Sequence, residues 1–327
     1  MVFSQAKWAV GDGPQIVHAS RALSWETVSA SFLQAWNLFV VPLLGEGLCG
    51  VLTSVFEKEE YERSDDERLL LHHAQMAVAN LALWHNFTEL NVRLTDQGHQ
   101  RQETENFKSV FKYQEGELKR SYKNKGFNAL DSLLTFFDAH ADGYPDWVSA
   151  PARVERSQRV VRSAAEVDGV VFINRSYIIF LRLQPILKKL EQTYLPVLLG
   201  RRLCEALLEH LDDTSVPMGG TTVEELRVRV GRVLVNRAVA DLIRQTGSLT
   251  DRGLYFDMVS PGRMGDETHV PTGSYEGVQH AQVFERDALE QERALHNFVE
   301  LHIPELCACR PEDVFRRDND GKRTVWL

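Results

Sequence analysis

An apolar corner occurs twice in the 327-residue chain and constrains its fold more than any other feature. The segments "LFVVPLLGEGLCGVLTSVFEK" and "YLPVLLGRRLCEALLEHLDD" both place Leu-Leu-Gly after a proline and a Leu-Cys pair shortly after the glycine. When Gly45 is set on Gly200, "LTDQG" (94–98) falls on "LTDRG" (249–253) at the same offset. Because similarity at a fixed offset is typical of repeated structural units, the sequence predicts a tandem duplication.

The duplication predicts two domains with a shared set of structural positions. Copy one is expected at 1–150, and copy two at 151–327 with an inserted arm near 254–277. We interpret the matched positions as architecture, with the prolines interrupting a helix and the glycines turning the chain. The predicted signature positions are Pro42, Gly45, Leu48, Cys49, Asp96, Gly98, Pro196, Gly200, Leu203, Cys204, Asp251 and Gly253.

The periodicity of apolar residues predicts a mainly α fold, in which each copy is a helical-bundle unit. A short β-strand or hairpin is expected after the third helix of each copy, where alternating apolar residues meet an Asp-x-Gly turn. Ser24 and Asn174 are candidate N-caps. The helices are expected at about 25–40, 46–58, 65–87, 102–123 and 127–141, with Gly126 as a C-cap candidate, and at about 175–194, 201–213, 222–246 and 278–300.

The insertion near 254–277 mixes aromatic and turn residues without a helical period, so we predict a hairpin or extended arm. An exposed strand can add to the sheet of a neighbouring molecule, which makes the arm a candidate for binding a partner. The candidate partner-binding residues are Tyr255, Phe256, Arg263, His269 and Tyr275.

Composition excludes several classes of protein. The net charge of −9 lacks the basic excess of an electrostatic nucleic-acid binder. No apolar run reaches about 18 residues, so no membrane-spanning helix is expected. The N-terminus lacks the apolar core of a signal peptide. Four cysteines are few for a disulfide framework, and Cys49 and Cys204 are expected to be reduced, buried residues of a cytosolic protein.

Motifs for catalysis, metal binding and cofactor binding are missing from the sequence. His72 and His73 are adjacent and point to different faces of a helix, and "CAC" (307–309) has no second cysteine pair. There is no Walker-type loop, no GxGxxG after a strand and no Gly-x-Ser-x-Gly elbow. We therefore expect a protein that is not an enzyme and carries no metal or cofactor.

Two predicted helices carry clusters of basic residues that are candidates for binding a partner. Lys119, Arg120 and Lys123 are candidate phosphate contacts in the basic stretch 107–125, and the alternative is a solvated helix face. The arginines of the predicted helix 222–246, the third helix of copy two, span more than one face. This indicates that the helix is contacted on several sides, including by another subunit. These arginines are Arg227, Arg229, Arg232, Arg237 and Arg244.

Two further stretches, "NKGFNALDSLLTFFDAHADGYPDW" (124–147) and "FINRSYIIFLRLQPILKKLEQTYLPVLLG" (172–200), carry a resemblance. They and the Pro-Leu-Leu-Gly pattern are similar to an uncharacterised helical-domain family of Bacteroidetes and their tailed phages, whose members are typically encoded beside capsid and portal genes. The resemblance implies a virion structural protein of the head–tail connector type, a helical adaptor that docks under the portal as a ring. The family offers no catalytic residues to carry over.

The expected partners follow from that resemblance. They are further copies of the chain in a ring, the portal and tail or other connector proteins, and packaged DNA in passive contact with acidic segments. The protein is expected at the head–tail junction of the virion, after synthesis in the cytoplasm of the bacterial host. The alternative that we carry is a soluble helical module that binds nucleic acid or a protein partner in the cell.

Overall fold

The structure is a computed structural model that describes residues 1–9, 16, 24–91, 93–95, 98–100, 112–212, 222–246, 255–259, 267–271 and 274–304. These residues are mainly helical, which confirms the mainly α class. The chain divides into two compact units. Unit 1 contains Met1–Arg156, Phe172–Leu181 and Phe256–Val270, and unit 2 contains Ser157–Val171, Arg182–Tyr255 and Pro271–Leu327.

Unit 1 is built around a long helix pair, α4 and α6, which pack along each other. The chain between α4 and α6 contains strands β1 (Arg93–Thr95) and β2 (Gly98–Gln100), which pair antiparallel with each other. Its helices are α1 (Gln5–Ala9), α2 (Trp25–Ala35), a π-helical turn (Trp36–Val40), α3 (Val41–Glu57), α4 (Asp65–His85), α5 (Phe87–Asn91), α6 (Lys112–Ala139) and α7 (Pro151–Ser157), with 3₁₀ turns at Glu60–Glu62, Ala141–Gly143 and Pro145–Trp147.

Unit 2 also contains a long helix pair, α12 and α13, which pack along each other. The helices of unit 2 are α8 (Ala164–Asp168), α9 (Tyr177–Thr193, whose first turn belongs to unit 1), α10 (Leu195–Leu199), α11 (Arg201–Asp212), α12 (Thr222–Thr246) and α13 (Ser274–His302). Strands β3 (Tyr255–Val259) and β4 (Glu267–Pro271) pair in a second two-stranded sheet, which belongs to unit 1 except for Tyr255 and Pro271.

The core of unit 1 follows from apolar residues at helical spacing on α4 and α6. Leu70, Ala74 and Ala77 on α4 are buried, as are Leu133 and Phe137 on α6. Residues three and four apart lie on one face of a helix, so each helix presents one apolar stripe to the other. Helix α4 begins at a capping box, in which the Ser64 hydroxyl accepts the amide N–H of Glu67.

The repeated corner has the same backbone conformation in both units. Gly45 has φ 76° and ψ 173°, and Gly200 has φ 72° and ψ 166°, a region that is essentially restricted to glycine. Each proline follows an interruption of the α-helical ladder, as expected: the π-helical turn ends at Val40, and α9 ends at Thr193. Pro42 and Pro196 lie in the first turn of α3 and α10, where the missing N–H costs no helical hydrogen bond. The glycine makes the corner, and the proline begins the helical turn before it.

The expectation of two helices separated at Gly126 is wrong, because α6 runs through this residue without interruption. A Cβ atom built on Gly126 would lie 2.6 Å from Cγ and 3.0 Å from the backbone nitrogen of Leu81 on α4. Gly126 therefore lets two helices approach closely and caps neither of them.

We expect Gly126→Ala to lower the free energy of unfolding by about 1–2 kcal/mol, because the Leu81 backbone has to move away from the new methyl group. Chemical denaturation followed by circular dichroism measures the change. Gly116→Ala is the matched control on α6, since a Cβ atom there meets nothing within 4 Å and alanine should add about 0.5–1 kcal/mol. Equal effects at the two positions would contradict the close approach.

The capping prediction for Asn174 is also wrong. Asn174 and Arg175 have φ of 54° and 48°, in the left-handed region, and α9 begins only at Tyr177. The Ser176 hydroxyl accepts the N–H of Ile179 at 3.4 Å and so performs the capping role. Asparagine tolerates the left-handed conformation better than most residues, which suits it to the turn before the helix. Ser24 is at the N-cap position of α2 as predicted.

One helical stretch is long and apolar enough to cross a membrane by length and composition, contrary to the expectation from the sequence. Trp25–Glu57 spans 33 residues and contains a window of mean hydropathy 1.8. The core helix of a soluble protein and a signal sequence near an N-terminus both pass the same test, and 33% of this window is buried. The stretch contains the π-helical turn and the break at Gly45, and Phe32, Val40 and Leu52 are fully buried.

Candidate interaction surfaces

The arm residues named from the sequence lie in different elements. Tyr255 and Phe256 belong to β3, His269 to β4, and Tyr275 to the first turn of α13. Arg263 lies outside the described residues. The assignment of these residues to partner binding stays a prediction.

The three candidate phosphate contacts on α6 differ in their surroundings. Arg120 forms an ion pair with Glu117, and the Lys123 ammonium lies 5.6 Å from the centre of the Trp84 ring. Lys119 is exposed and has no contact within the part of the chain that the structure describes. Two of the three charges are therefore already engaged inside unit 1, and their role toward phosphate stays a prediction.

Four signature residues of the predicted repeat are described in matching pairs. Leu48, Cys49, Leu203 and Cys204 are buried, at the same distance in sequence after each corner glycine. Gly98 is the first residue of β2. Asp96, Asp251 and Gly253 lie outside the described residues. Burial raises the pKa of Cys49 to about 11, and it also raises the pKa of Cys204.

These thiols should react slowly in the native protein. With a pKa of about 11, only about 0.1% of Cys49 is thiolate at pH 8, against about a quarter of a free cysteine, so we expect at least about 100-fold slower modification. Ellman's reagent measures the rate in a Cys307→Ser/Cys309→Ser variant, which leaves Cys49 and Cys204 as its thiols. Denaturant supplies the control by exposing both. Modification of the native variant at the rate of a free thiol would contradict the burial.

A buried arginine joins the segments of unit 2. Arg227 on α12 is 4% exposed. Its guanidinium donates to the Glu224 carboxylate at 2.8 Å, to the Glu166 carboxylate at 2.9 and 3.3 Å, and to the carbonyl of Val160. Burial opposes the charged form, but the hydrogen bonds and charges of Glu166 and Glu224 outweigh it and raise the pKa of Arg227. Arg227 thus ties α12 to the chain around Val160.

The other arginines of α12 show where the interpretation from sequence needs correction. Arg229 lies 4.3 Å from the Phe298 ring and pairs with Glu225. Arg237 stacks on Tyr194 and binds Glu292 at 2.6 Å, and Arg244 pairs with Glu285. The helix is contacted on several sides, as expected, but by elements of its own unit. Arg232 differs, since it is exposed and has no side-chain partner among the described residues.

A partly open cavity of about 160 Å³ lies beside this cluster, entirely within unit 2. Its walls come from α12 and from the segment that contains α8. Valines and glycines dominate the lining, and the exposed guanidinium-bearing Arg232 stands at its edge. The lining residues are Val160, Val161, Ala165, Glu166, Gly169, Val170, Arg227, Val228, Gly231, Arg232 and Val235.

Unit 1 carries an exposed tyrosine on a well-braced turn. Tyr61 is 80% exposed, at the centre of the 3₁₀ turn Glu60–Glu62. The Arg63 guanidinium donates to the carbonyls of Val55, Phe56 and Lys58 at 2.7–3.0 Å. A capping box between Glu59 and Glu62 closes the turn, and Arg68 donates to the carbonyl of Glu60 at 3.2 Å. We call Glu59–Glu62 the tyrosine turn.

Neither the tyrosine turn nor the cavity was identified from the sequence. Tyr61 stands in an acidic run that resembles a solvated loop, and no local signal shows that Arg63 braces it. The cavity joins residues about sixty positions apart in the chain. Among the described residues, no group of three histidine, cysteine, aspartate or glutamate side chains is placed to hold a metal ion.

Comparison with protein-family models finds a match over part of the chain. A family model described as "Family of unknown function (DUF6712)" matches residues 41–157. No curated protein matches the chain, and no solved structure does. The matched segment begins at the first residue of α3 and ends at the last residue of α7, so it contains the first corner and the α4–α6 pair. Over that segment, the chain is similar to a family whose function is unknown.

Proposed function

We propose that the chain is a structural protein of a tailed-phage virion, a head–tail connector that assembles as a ring between portal and tail. The proposal starts from the resemblance of 124–147 and 172–200 to the connector-like helical family. It is supported by the mainly helical fold and by two compact units that are densely braced by internal ion pairs and ring contacts.

The proposal includes a tandem duplication of one helical unit, with a short hairpin after the third helix of each copy. The observation that carries it is the matched corner. Gly45 and Gly200 share a conformation that few residues adopt, and each is followed four positions later by a buried cysteine. In both units, the helix after the polar loop also packs along a later long helix. Two related units give one chain two related faces.

A ring of identical copies needs two different, complementary surfaces on each copy. A duplicated unit meets this requirement when its two copies have diverged. The tyrosine turn lies in unit 1 and the cavity in unit 2, so the two units present different surfaces. An assembly protein also works without an active site.

The test is the location and copy number of the protein in purified particles. We expect quantitative mass spectrometry to find it at a fixed number of copies per particle, similar to that of the portal. Mass photometry of the purified protein should show a ring or its partial assemblies. Deleting 256–274 should block assembly while helicity is retained. Absence from particles, together with a stable monomer in solution, would reject the proposal.

The alternative is a cellular helical module that binds nucleic acid or a protein partner. The exposed Lys119, with no described contact, is the observation in its favour. The triple variant Lys119→Glu/Arg120→Glu/Lys123→Glu should then abolish retention on DNA, because each charge removed weakens phosphate binding. Unchanged retention would exclude a phosphate-contact role for this face of α6.

A further inference from the structure

The tyrosine turn has the properties of an interaction anchor. Tyrosine is among the residues that contribute most to protein interfaces, because its ring brings a large apolar area at a small entropic cost. Tyr61 contacts no other ring among the described residues and is 80% exposed. The three carbonyl contacts of Arg63 fix the turn before any partner arrives, and a pre-ordered turn loses less freedom on binding.

The cavity of unit 2 matches a single aromatic ring in size and lining. Its volume is about 160 Å³, and an apolar cavity of about 150 Å³ is known to accept benzene. Val160, Val161 and Val235 offer an apolar surface to a ring.

The charges around the two features are complementary. Glu60, beside Tyr61, is exposed, and its carboxylate has no partner in the described part of the chain. Arg232, at the edge of the cavity, is likewise an exposed guanidinium without a described partner. Glu59 and Glu62 add negative charge to the same turn. Complementary charge across a contact selects the partner and accelerates association.

We propose that the tyrosine turn of one copy inserts Tyr61 into the unit 2 cavity of a second copy, with Glu60 paired to Arg232. The turn and the cavity are different surfaces, so in the proposed ring each copy offers its turn to one neighbour and its cavity to the other, which is a heterologous contact. This inference rests on the proposed ring and adds the residues that join its neighbours.

Two variants disable the two surfaces separately. Tyr61→Ala removes the ring from the turn, and Arg232→Glu places a repelling charge at the cavity. Both positions are exposed, so each variant should keep the helical circular dichroism of the wild type. Arg202→Glu on α11 is the matched control for the charge reversal, because Arg202 is also an exposed arginine without a described partner. Tyr61→Phe is the control for the turn, since it keeps the ring.

Sedimentation velocity of the full chain over a micromolar concentration series tests the inference. We expect wild type, Arg202→Glu and Tyr61→Phe to self-associate, and each disabling variant to associate at least about tenfold more weakly, or about 1.4 kcal/mol. A mixture of Tyr61→Ala and Arg232→Glu should stop at heterodimers, because it retains one intact turn and one intact cavity.

Three results would overturn the inference. If wild type associates and both disabling variants do so equally well, the ring uses another surface and the proposed function stands. If wild type stays monomeric at every concentration, the contact between copies does not exist. If the mixture remains monomeric while wild type associates, the tyrosine turn and the cavity are not partners. The proposed function itself is judged separately, by the presence of the protein in virions.

Discussion

Replacing Arg227 with methionine should lower the free energy of unfolding of unit 2 by about 3–5 kcal/mol. Methionine keeps much of the apolar stem but none of the five donors. The carbonyl of Val160 and the buried carboxylate of Glu224 then lose a charged partner in a site shielded from water. Glu224 retains weaker contacts with His210 at 3.3 Å and Arg162 at 3.9 Å, so we expect the lower part of this range.

Urea denaturation at neutral pH measures this loss of stability. Two further variants serve as comparisons. Arg227→Lys should recover only part of the stability, because an ammonium does not form the forked contacts that reach both carboxylates. Arg201→Met removes an ion pair with Glu205 that is open to solvent, and it should leave the denaturation midpoint unchanged. A loss below about 1 kcal/mol for Arg227→Met would show that the cluster does not hold unit 2 together.

Placing alanine at either corner glycine should cost about 2–3 kcal/mol. Gly45 and Gly200 have φ near +75° with ψ near 170°, where a Cβ atom clashes with the backbone of its own residue. The cost comes from the backbone conformation and not from crowding, because the nearest neighbour of a Cβ atom on Gly45 is Pro151 Cδ at an ordinary 3.6 Å. Both variants should lose stability by the same mechanism, one in each unit.

Gly50 offers the matched control in α3, five residues after the first corner. A Cβ atom there meets nothing within 4 Å, and Gly50→Ala should raise stability by about 0.5–1 kcal/mol through better helix propensity. Thermal and urea unfolding followed by circular dichroism measure all three variants. If alanine is tolerated at Gly200 but not at Gly45, the shared conformation of the two corners is not a shared structural requirement.

The sequence predicted the features that depend on neighbouring residues. The third helices were placed well, with α12 found at the expected 222–246, because long apolar periodicity is a strong signal. The corner glycines and the burial of Cys49 and Cys204 followed from the match between two stretches of the same chain. Gly126 was misassigned because glycine after lysines and asparagine resembles a helix end. Glycine is needed at this position because Leu81 of α4 approaches it, and Leu81 is distant in sequence.

The candidate surfaces were not predictable for the same reason. Arg227 reaches Glu166 across 61 positions of the chain, and no local pattern distinguishes it from the four other arginines on α12. The charges of the acidic run 57–67 are visible in the sequence, but its bracing by Arg63 depends on where α3 ends. Such contacts become apparent only when the helices are packed.

The most direct test of the connector assignment is a cryo-electron microscopy reconstruction of the head–tail junction in particles from cells that carry this chain. We expect a closed ring of copies of the chain between portal and tail, with unit 1 of each copy contacting unit 2 of its neighbour. Particles whose junction is fully assigned to other proteins, with this chain absent, would contradict it.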